Sequence, residues 1–431
     1  MRPTPEGSSP PAFLKRCGAV FYGGRFLYTG KNAAERKGAA AVDIKALAQT
    51  YEAYIVERRR YYHANPELSG QEEQTRRQIR KDLEAMGITE ITELRDCFGM
   101  TAMLRGGRPG RTVALRADID ALPVREASGL PFASTNGCMH AYGHDSHIAM
   151  LLGAARILQD VRAELAGNVK LIFQPAEEIA AGAGWMLREH ALKGVDALYG
   201  AHIWGTLDAP LVDVSPGNRM ACSHRFTIRV EGRSAHGSAP HLGLDPIMVA
   251  CTIATSLQQC VSRMNDPLNP LVLTIASIHR GSCWNVIPGE AVMEGTVRTF
   301  LKGDQVEHQM RRIVASTAEA FGTAAQLEYE YKTPPVINED PQLNRIAREA
   351  VVKLYGEEAV GCLPPLMSSE DFSILGTQVP SFFAFVGGRN REKGIVYTNH
   401  HEAYTVDEDV LQRGAAVMAQ FAADYLAETA L

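Results

Sequence analysis

The sequence lacks several features that would identify whole classes of protein. No apolar run approaches the roughly 20 residues that a membrane-spanning helix needs. The net charge of -5 over 431 residues argues against a nucleic-acid surface. The eight cysteines are scattered without a CxxC pair or a regular spacing. This cysteine pattern argues against a secreted disulfide scaffold and predicts reduced thiols in a cytoplasmic protein.

Two common catalytic motifs are missing as well. There is no glycine-rich phosphate loop with its lysine, which argues against phosphoryl transfer. There is no GxSxG segment, which argues against a serine nucleophile on a strand-to-helix elbow. The hydrophobic content of 45% and the charged content of 22% are ordinary for a globular protein. The length favours more than one domain.

Residues 139–147 (MHAYGHDSH) hold three histidines and an aspartate beside a glycine. A lone histidine or a Glu-Glu pair is usually structural or solvated, but here such residues recur after several strand-like runs. Imidazoles and carboxylates are the usual ligands of catalytic transition metals. Because ligands bind beyond the carboxyl ends of strands in open α/β sheets, we predict one metal site built from distant loops. The other ligand-type residues are Glu177, Glu178, His202, His400 and His401.

The hydrophobic periodicity predicts an α/β protein that carries an insertion. The main part combines a helix over 46–86, broken near Asn65-Pro66, with strands at 112–115, 169–173 and 197–203 and a helix at 147–165. From about residue 223 the predicted order is β-α-β-β-α-β, a ferredoxin-like unit. Its strands are at 225–230, 271–278, 291–300 and 325–331, and its helices at 246–261 and 304–321. The predicted divisions are an N-terminal extension (1–45), two catalytic parts (46–222 and 333–431) and the inserted unit (223–332).

A metal centre of this composition suits hydrolysis of a C–N bond. A divalent metal polarises a carbonyl and lowers the pKa of its bound water to about 7. Glu177 and Glu178 can divide the work, since adjacent side chains diverge and one can bind the metal while the other serves the water. We therefore predict attack by metal-bound hydroxide with a glutamate as general base.

Seven segments together resemble one known family: 116–123 (RADIDALP), 139–147, 173–178 (FQPAEE), 236–241 (HGSAPH), 285–288 (NVIP), 369–372 (SEDF) and 400–401 (HH). The chain resembles the aminoacylase and glutamate-carboxypeptidase metallopeptidases from about Tyr51 to its end. The similarity is to the amidohydrolase branch that contains hippurate hydrolase and indoleacetyl-amino-acid hydrolases. It implies a three-layer α/β/α catalytic domain with the insertion as a lid and dimerisation domain.

The resemblance also implies roles for individual residues. The metal ligands would be His144, Glu178, His202 and His400, and Glu177 would be the general base and later acid. His236 would stabilise the oxyanion across a dimer interface, Asn285 would help to hold the substrate, and Asp118 would orient a ligand. We predict structural roles for the remaining residues near the site, which are Cys138, His140, His147 and His401. Of these, Cys138 is an outside candidate as a metal ligand. No role is assigned to His63, His190 or His308.

Tyr142 departs from the family pattern, because this branch has a metal-bridging cysteine at that position. A phenol with a pKa near 10 is a poorer ligand at neutral pH than a thiol near 8.5. We therefore expect one catalytic ion rather than a tight pair, with Tyr142 as hydrogen-bond donor, weak ligand or substrate contact. The ligand set leaves manganese, zinc, cobalt and nickel open.

The expected activity is hydrolysis of an N-acyl or N-aroyl amino acid. The changed centre leaves an alternative open, in which hydroxide replaces the amino group of an electron-poor aromatic amine and ammonia is released. An enzyme that resembles this chain in general plan, 5-nitroanthranilate aminohydrolase, carries out that reaction. A remote alternative from another class is a non-catalytic binding protein on the same scaffold. The expected partners are a small-molecule substrate and a second copy of the chain, at least as a homodimer, without nucleic acid or membrane.

Overall fold

A computed structural model describes residues 43–428 and the backbone of a hairpin between β1 (Ala19–Tyr22) and β2 (Arg25–Tyr28). Apart from this hairpin and residues 43–45, the predicted N-terminal extension lies outside the described residues. The chain separates into two compact units, Met1–Val42 and Asp43–Leu431.

The first part of the second unit alternates helices and strands as the periodicity predicts. Its elements are α1 (Ile44–Thr50), α2 (Glu52–Ala64), α3 (Glu73–Ala85), β3 (Ile91–Glu93), β4 (Met100–Arg105), β5 (Arg108–Asp118), α4 (His144–Asp160), β6 (Ala166–Gln174), α5 (Gly182–Arg188) and β7 (Ala197–Asp208). The predicted break near Asn65-Pro66 falls between α2 and α3. Helix α4 begins three residues earlier than predicted, because the chain turns at Gly143 and His144 already belongs to the helix.

The remaining elements complete the insertion and return to the main layer. They are β8 (Val212–Asp213), β9 (Gly217–Met220), β10 (Ser223–Glu231), β11 (Ala235–His236), α6 (Pro246–Gln259), β12 (Leu271–His279), β13 (Val286–Ile287), β14 (Glu290–Thr299), α7 (Gln305–Ala320), β15 (Ala325–Thr333), β16 (Val336–Asn338), α8 (Pro341–Tyr355), β17 (Val360–Gly361), α9 (Phe372–Gly376), β18 (Ser381–Arg389) and α10 (Leu411–Glu428). Helix α6 continues into a π-helical turn, Cys260–Met264.

An eight-stranded mixed sheet in the order β17-β8-β18-β7-β5-β6-β4-β3 forms the middle layer. Side chains alternate between the two faces of a strand, so neighbouring residues of β18 pack against different helices. Phe382 stacks with Phe421 of α10, whereas Phe383 contacts Phe372 of α9. Helices therefore cover both faces, which confirms the three-layer α/β/α prediction.

The inserted unit is a second, four-stranded antiparallel sheet in the order β12-β14-β10-β15. Alternate residues of β10, such as Phe226 and Ile228, pack in one core with Val249 of α6 and Met310 of α7. The β-α-β-β-α-β order is the predicted ferredoxin-like lid, and the fold class is confirmed. The divisions placed at 222/223 and 332/333 stay predictions.

Among the described helices, none combines the length and the hydropathy that crossing a bilayer requires. All seven cysteines in the described part of the chain are unpaired thiols. Reduced cysteines agree with the cysteine pattern of the sequence. The cytoplasmic location stays a prediction.

Candidate metal centre

Three strands bring their predicted site residues to one edge of the large sheet. Strand β5 pairs in parallel with both β6 and β7, so the carboxyl ends of the three strands lie together. Asp118 is the last residue of β5, Glu177 and Glu178 follow β6, and His202 lies in β7 beyond its last pair with β5. The sheet therefore gathers residues that are far apart in the sequence.

His144 joins this edge through the turn that starts α4. Gly143 has a φ of 98°, and a Cβ at this position would lie 2.4 Å from the Ile203 Cγ2 atom. A glycine is needed here because other residues rarely adopt that conformation and have no room for a side chain. The His144 Nδ1 atom donates to the Asp120 carbonyl oxygen at 2.9 Å, which leaves Nε2 as the free nitrogen.

His202 is held in the same way. Its Nδ1 atom donates to the Ile203 carbonyl oxygen at 2.7 Å, so Nε2 carries the lone pair. Burial, followed by the neighbouring His147, lowers the pKa of His202 well below its usual value and keeps the ring neutral. Within residues 43–428, the Nε2 atoms of His144 and His202 and the Glu178 Oε1 atom are buried without a hydrogen-bond partner. Two imidazole nitrogens and a carboxylate oxygen left unpaired are a donor set that fits a transition metal.

His400 approaches the centre from the loop before α10. Its backbone N–H donates to the Ala141 carbonyl oxygen at 2.7 Å, which fixes this loop to the 139–147 segment. Its Nε2 atom lies 3.9 Å from the Glu178 Oε2 atom, while the Glu178 Oε1 atom lies 4.0 Å from the His144 Nε2 atom. Glu178 thus faces both histidines. The ring of His401 instead stacks on Tyr397, and its Nδ1 atom accepts a hydrogen bond from Ala403.

Carboxylates outnumber cations in the centre. Burial, and then the charges of Glu370 and Asp371, raises the pKa of Glu177 well above its usual value. Burial and the nearby aspartates raise the pKa of Glu178 to about 8. Such crowding disfavours the ionised carboxylates unless positive charge is added. A divalent cation would supply that charge, which is a second reason that these residues fit a metal.

His147 is close to the centre but is not available as a ligand. Although its ring lies 4.4 Å from that of His202, centroid to centroid, both nitrogens are already bonded. Its Nδ1 atom donates to Asp118, and its Nε2 atom accepts the N–H of Ile203 at 2.8 Å. His140 is buried, and its pKa is lowered to about 4 by that burial. In the described part of the chain, the residue groups that could jointly hold a metal include His147 with His144 and His202, but neither Cys138 nor His400.

Two aspartates of the 116–123 segment support the histidines. Asp118 accepts from Arg116 at 2.8 Å and from His147, and its Oδ2 atom lies 3.6 Å from the His144 Nε2 atom. Asp120 holds His144 through its carbonyl oxygen, and its carboxylate accepts the N–H of Glu178 at 3.1 Å. Sequence analysis assigned the orienting role only to Asp118. The role of Asp120 could have been predicted, because it is the second aspartate of the same motif.

Tyr142 packs its ring into the middle of the centre. Its centroid lies 4.3 Å from that of His202 and 4.4 Å from that of His400. Burial, and then the charge of Glu177, raises the pKa of Tyr142 well above its usual value. The side chain is therefore a neutral phenol near the histidines and not an anionic bridge.

A cavity of about 460 Å³ opens onto Glu177, Glu178, Tyr142 and His400. The lid contributes Arg298 of β14 to its wall, where the Nη1 atom donates to the Ser369 Oγ atom at 2.7 Å. Arg298 is half-buried, and sequence analysis missed it, because an alternating strand does not reveal which outward residue faces a neighbouring domain. It places a cation beside the acidic centre.

His236 and Asn285 lie together on the lid but apart from this cavity. Their strands β11 and β13 pair, and the Gly237 N–H donates to the Asn285 carbonyl oxygen at 2.7 Å. His236 is exposed, and within the described residues neither side chain lines the cavity. One chain alone therefore gathers the predicted metal ligands and Glu177, but not His236 or Asn285.

The sequence from residue 114 to residue 424 matches the model of Peptidase family M20/M25/M40. That span is most of the chain. The chain belongs to this peptidase family. The membership confirms the predicted family and the prediction of a metal-dependent hydrolase acting on C–N bonds.

Individual relatives agree. Thermostable carboxypeptidase 2 of Saccharolobus solfataricus is 38% identical over 86% of this chain and 95% of its own length. N-acetylcysteine deacetylase of Bacillus subtilis is 39% identical over 85% of this chain and 96% of its own. A crystal structure of a dinuclear metal-binding peptidase of the same family, from Bacillus subtilis, has a TM-score of 0.78 at 36% identity and covers 88% of this chain and 99% of its own.

Proposed function

We propose that this protein hydrolyses the amide bond of an N-acyl or N-aroyl amino acid. In the proposal His144, Glu178, His202 and His400 hold a divalent transition metal, and Glu177 is the general base. The observation that carries it is the convergence of unpartnered buried ligand atoms beside a buried glutamate with a raised pKa. Such a combination is typical of catalytic sites.

The metal, when bound, polarises the amide carbonyl and lowers the pKa of water to about 7. Glu177 accepts a proton from the attacking water on a carboxylate oxygen and delivers it to the nitrogen of the leaving amine. Water and amide are converted to a carboxylic acid and an amine, and Glu177 returns to its starting state. Glu177 must be ionised to act as the base, and because burial and the neighbouring carboxylates raise its pKa, the positive charge of a bound metal would favour that ionised form.

Arg298 would bind the carboxylate of the amino-acid part of the substrate. It lines the same cavity as Glu177, and guanidinium groups pair with carboxylates through two parallel hydrogen bonds. The relatives support this choice of substrate. N-acetylcysteine is an N-acyl amino acid, and a carboxypeptidase cleaves the amide bond of an amino acid that bears a free carboxylate.

We further propose one tightly held metal ion per chain, of manganese, zinc, cobalt or nickel. The support is Tyr142, whose neutral ring lies between His202 and His400 where an anionic ligand would be required for a bridged pair. The related structure from Bacillus subtilis is described as dinuclear, so the proposal is that this chain holds one ion fewer than that relative.

Finally, we propose that the active form is at least a dimer in which His236 and Asn285 of one copy complete the cavity of the other. Both lie on the lid away from the cavity of their own chain. Next to Asn285, Trp284 is 95% exposed, and Leu268 before β12 is 86% exposed. An exposed tryptophan beside Asn285 is consistent with a surface that another copy of the chain covers.

The second candidate is replacement of the amino group of an electron-poor aromatic amine, with release of ammonia. Tyr142 favours it, because a changed metal environment and an added aromatic wall suit an aromatic ring as electrophile. The non-catalytic alternative finds no support, since His144, Glu178 and His202 and the proposed base Glu177 all lie in groups that could hold a metal.

The deciding experiment is a product assay on metal-reconstituted protein, followed by mass spectrometry. The substrates are hippurate, N-acetyl amino acids and 5-nitroanthranilate. A free amino acid with a carboxylic acid supports the proposal. Ammonia with a hydroxylated ring, and no amide cleavage, replaces it by the second candidate. No turnover of any substrate by protein of verified metal content would overturn both.

A further inference from the structure

Ala176, the residue before the Glu177-Glu178 pair, has an unusual backbone conformation. Its φ is 54°, in the left-handed region that residues other than glycine rarely adopt. Such a conformation persists only where surrounding contacts hold it. The directions in which Glu177 and Glu178 leave the chain depend on this bend, so whatever holds Ala176 also sets the geometry of the base and the ligand.

Glu72 holds it. This glutamate is fully buried between α2 and α3, and its Oε1 atom accepts the N–H of Ala176 at 2.9 Å. The same oxygen accepts the N–H of Gly70 at 2.9 Å. One carboxylate oxygen thus joins the segment before α3 to the bend before the catalytic pair. Within the described residues, the Glu72 Oε2 atom has no hydrogen-bond partner.

A second contact from the same segment reaches the other side of the centre. The Ser69 hydroxyl donates to the Asp120 Oδ2 atom at 2.6 Å, and that atom also accepts the N–H of Glu178. The Ala121 N–H donates to the Glu67 carbonyl oxygen at 2.8 Å. Residues 67–72 therefore contact two loops of the metal centre. In the sequence they precede the region that matches the family, residues 114–424.

We propose that Glu72 is a positioning residue for the hydrolysis, which fixes the Ala176 bend and thereby the relative placement of Glu177 and Glu178. The inference rests on the proposed function for its kinetic part and on the ligand role of Glu178 for its metal-binding part. Glu72 acts through hydrogen-bond acceptance and geometry. Its charge is not required.

The chemistry of this contact separates a geometric role from an electrostatic one. Burial raises the pKa of Glu72 to about 7, so the neutral acid is accessible near neutral pH. Glutamine has the same length and keeps one oxygen that accepts both N–H groups. Alanine removes the acceptor and leaves the buried N–H of Ala176 unpaired, and aspartate keeps the charge but is one methylene too short to reach both N–H groups.

The experiment compares Glu72→Ala, Glu72→Gln and Glu72→Asp with the neighbouring control Glu73→Gln, whose ion pair with Arg77 is at the surface. Each full-length variant is tested for folding by circular dichroism and thermal melting. Steady-state kinetics with the substrate found in the product assay give kcat and KM. Titration calorimetry with MnCl₂ gives the metal affinity independently of activity.

The alanine and aspartate variants are expected to lose about 10- to 100-fold in kcat or in Mn²⁺ affinity, as is usual when a residue that orients metal ligands is removed. KM should change by less than about threefold, since the cavity wall is untouched. The glutamine variant should stay within about threefold of the natural protein, with an unaltered pH profile, because acceptance is preserved.

Three results would overturn the proposal. Kinetics and Mn²⁺ affinity of Glu72→Ala equal to those of Glu73→Gln would remove any positioning role. Loss in Glu72→Gln equal to that in Glu72→Ala would show that the charge, and not the geometry, matters. Should the alanine variant fail to fold, Glu72→Asp decides on the same criteria. Inactivity of the natural protein would count against the proposed function alone, since the Mn²⁺ titration still tests Glu72.

Discussion

Three neighbouring histidines show how a single hydrogen bond assigns a role to a residue. His144 and His202 each donate from Nδ1 to a backbone carbonyl oxygen, so Nε2 is left for a metal. His147 lies as close, but Asp118 and the Ile203 N–H occupy both of its nitrogens. The difference lies in the partner of the second nitrogen, which the residue type does not reveal.

Replacing Glu177 with Gln is expected to lower kcat by about 10²- to 10⁴-fold, because the amide cannot accept the proton of water. Mn²⁺ affinity and KM should change little, since Glu178 and the cavity wall remain. Steady-state kinetics and calorimetry on the same preparation measure both. Full activity in Glu177→Gln would rule out Glu177 as the base.

Replacing Tyr142 with Cys is expected to create a second tight metal equivalent per chain. A thiolate is a strong zinc ligand, and the smaller side chain clears the space between His202 and His400. Calorimetry with ZnCl₂ counts the ions, and Tyr142→Phe, which keeps the ring, is the matched control. Two tight ions already present in the unaltered protein would contradict the proposed stoichiometry.

Replacing Arg298 with Ala is expected to raise KM for hippurate by about 10-fold or more, as the charge-assisted pair with the substrate carboxylate is worth about 1.5–3 kcal/mol. The amide of hippurate, benzoylglycinamide, lacks that carboxylate and serves as the control substrate. The preference for hippurate over benzoylglycinamide should collapse in the variant. An unchanged preference would place the carboxylate elsewhere.

At the scale of elements, ionic and hydrogen-bonded contacts from α2 fix the first turn of α4. Asp145, next to the proposed ligand His144, accepts from Arg59 at 2.8 Å and pairs with His63 at 2.8 Å. Arg59 and Asp145 are each only 1% exposed. Sequence analysis assigned His63 no role, and the structure places it in this buried network, with its other nitrogen on Glu126. Two helices distant in sequence are thus fixed at the metal centre.

Replacing Arg59 with Ala is expected to lower the free energy of unfolding by about 3–5 kcal/mol, because it removes the arginine from a buried ion pair and leaves Asp145 with His63 alone. The neighbouring Arg60 is 50% exposed and pairs with Glu408 at the surface, so Arg60→Ala should cost less than about 1 kcal/mol. Denaturant unfolding of both variants measures the difference. Equal losses would mean that the buried pair does not stabilise α4.

At the scale of the whole molecule, the centre is divided between the α/β/α layers and the lid. The layers supply the proposed ligands and Glu177, and β14 of the lid supplies Arg298 to the same cavity. The lid also carries His236 and Asn285, which are paired through β11 and β13 and lie outside that cavity. A second copy that brings these two residues to the cavity would complete the site.

Complementation tests this assembly. The Glu177→Gln chain and the His236→Ala chain should each be inactive when expressed alone. The two chains are then co-expressed with different affinity tags and purified as a heterodimer. In a symmetric dimer the mixed species contains one site with an intact Glu177 and an intact His236 from the other chain, so about half of the normal activity should return. No recovery in a verified heterodimer would show that His236 acts within its own chain or not at all.

Much of this protein could be predicted from sequence, because local chemistry and periodicity determined it. The strands β5, β6 and β7 read as apolar runs followed by ligand-type residues, and the β-α-β-β-α-β order was visible as alternation and helical spacing. The substitution at Tyr142 was equally plain. These features depend on residues that are neighbours in the chain, so the sequence alone is enough to predict them.

Only the tertiary structure decided how the remaining residues contribute. Glu72 and Arg298 contact residues from other elements, and nothing beside them in the sequence indicates those contacts. The structure likewise gave the hydrogen bonds that set His147 apart from His144 and His202, and it placed His236 away from the cavity of its own chain. The physical reason is that sequence determines which elements form, whereas hydrogen-bond partners and burial depend on how distant elements pack together.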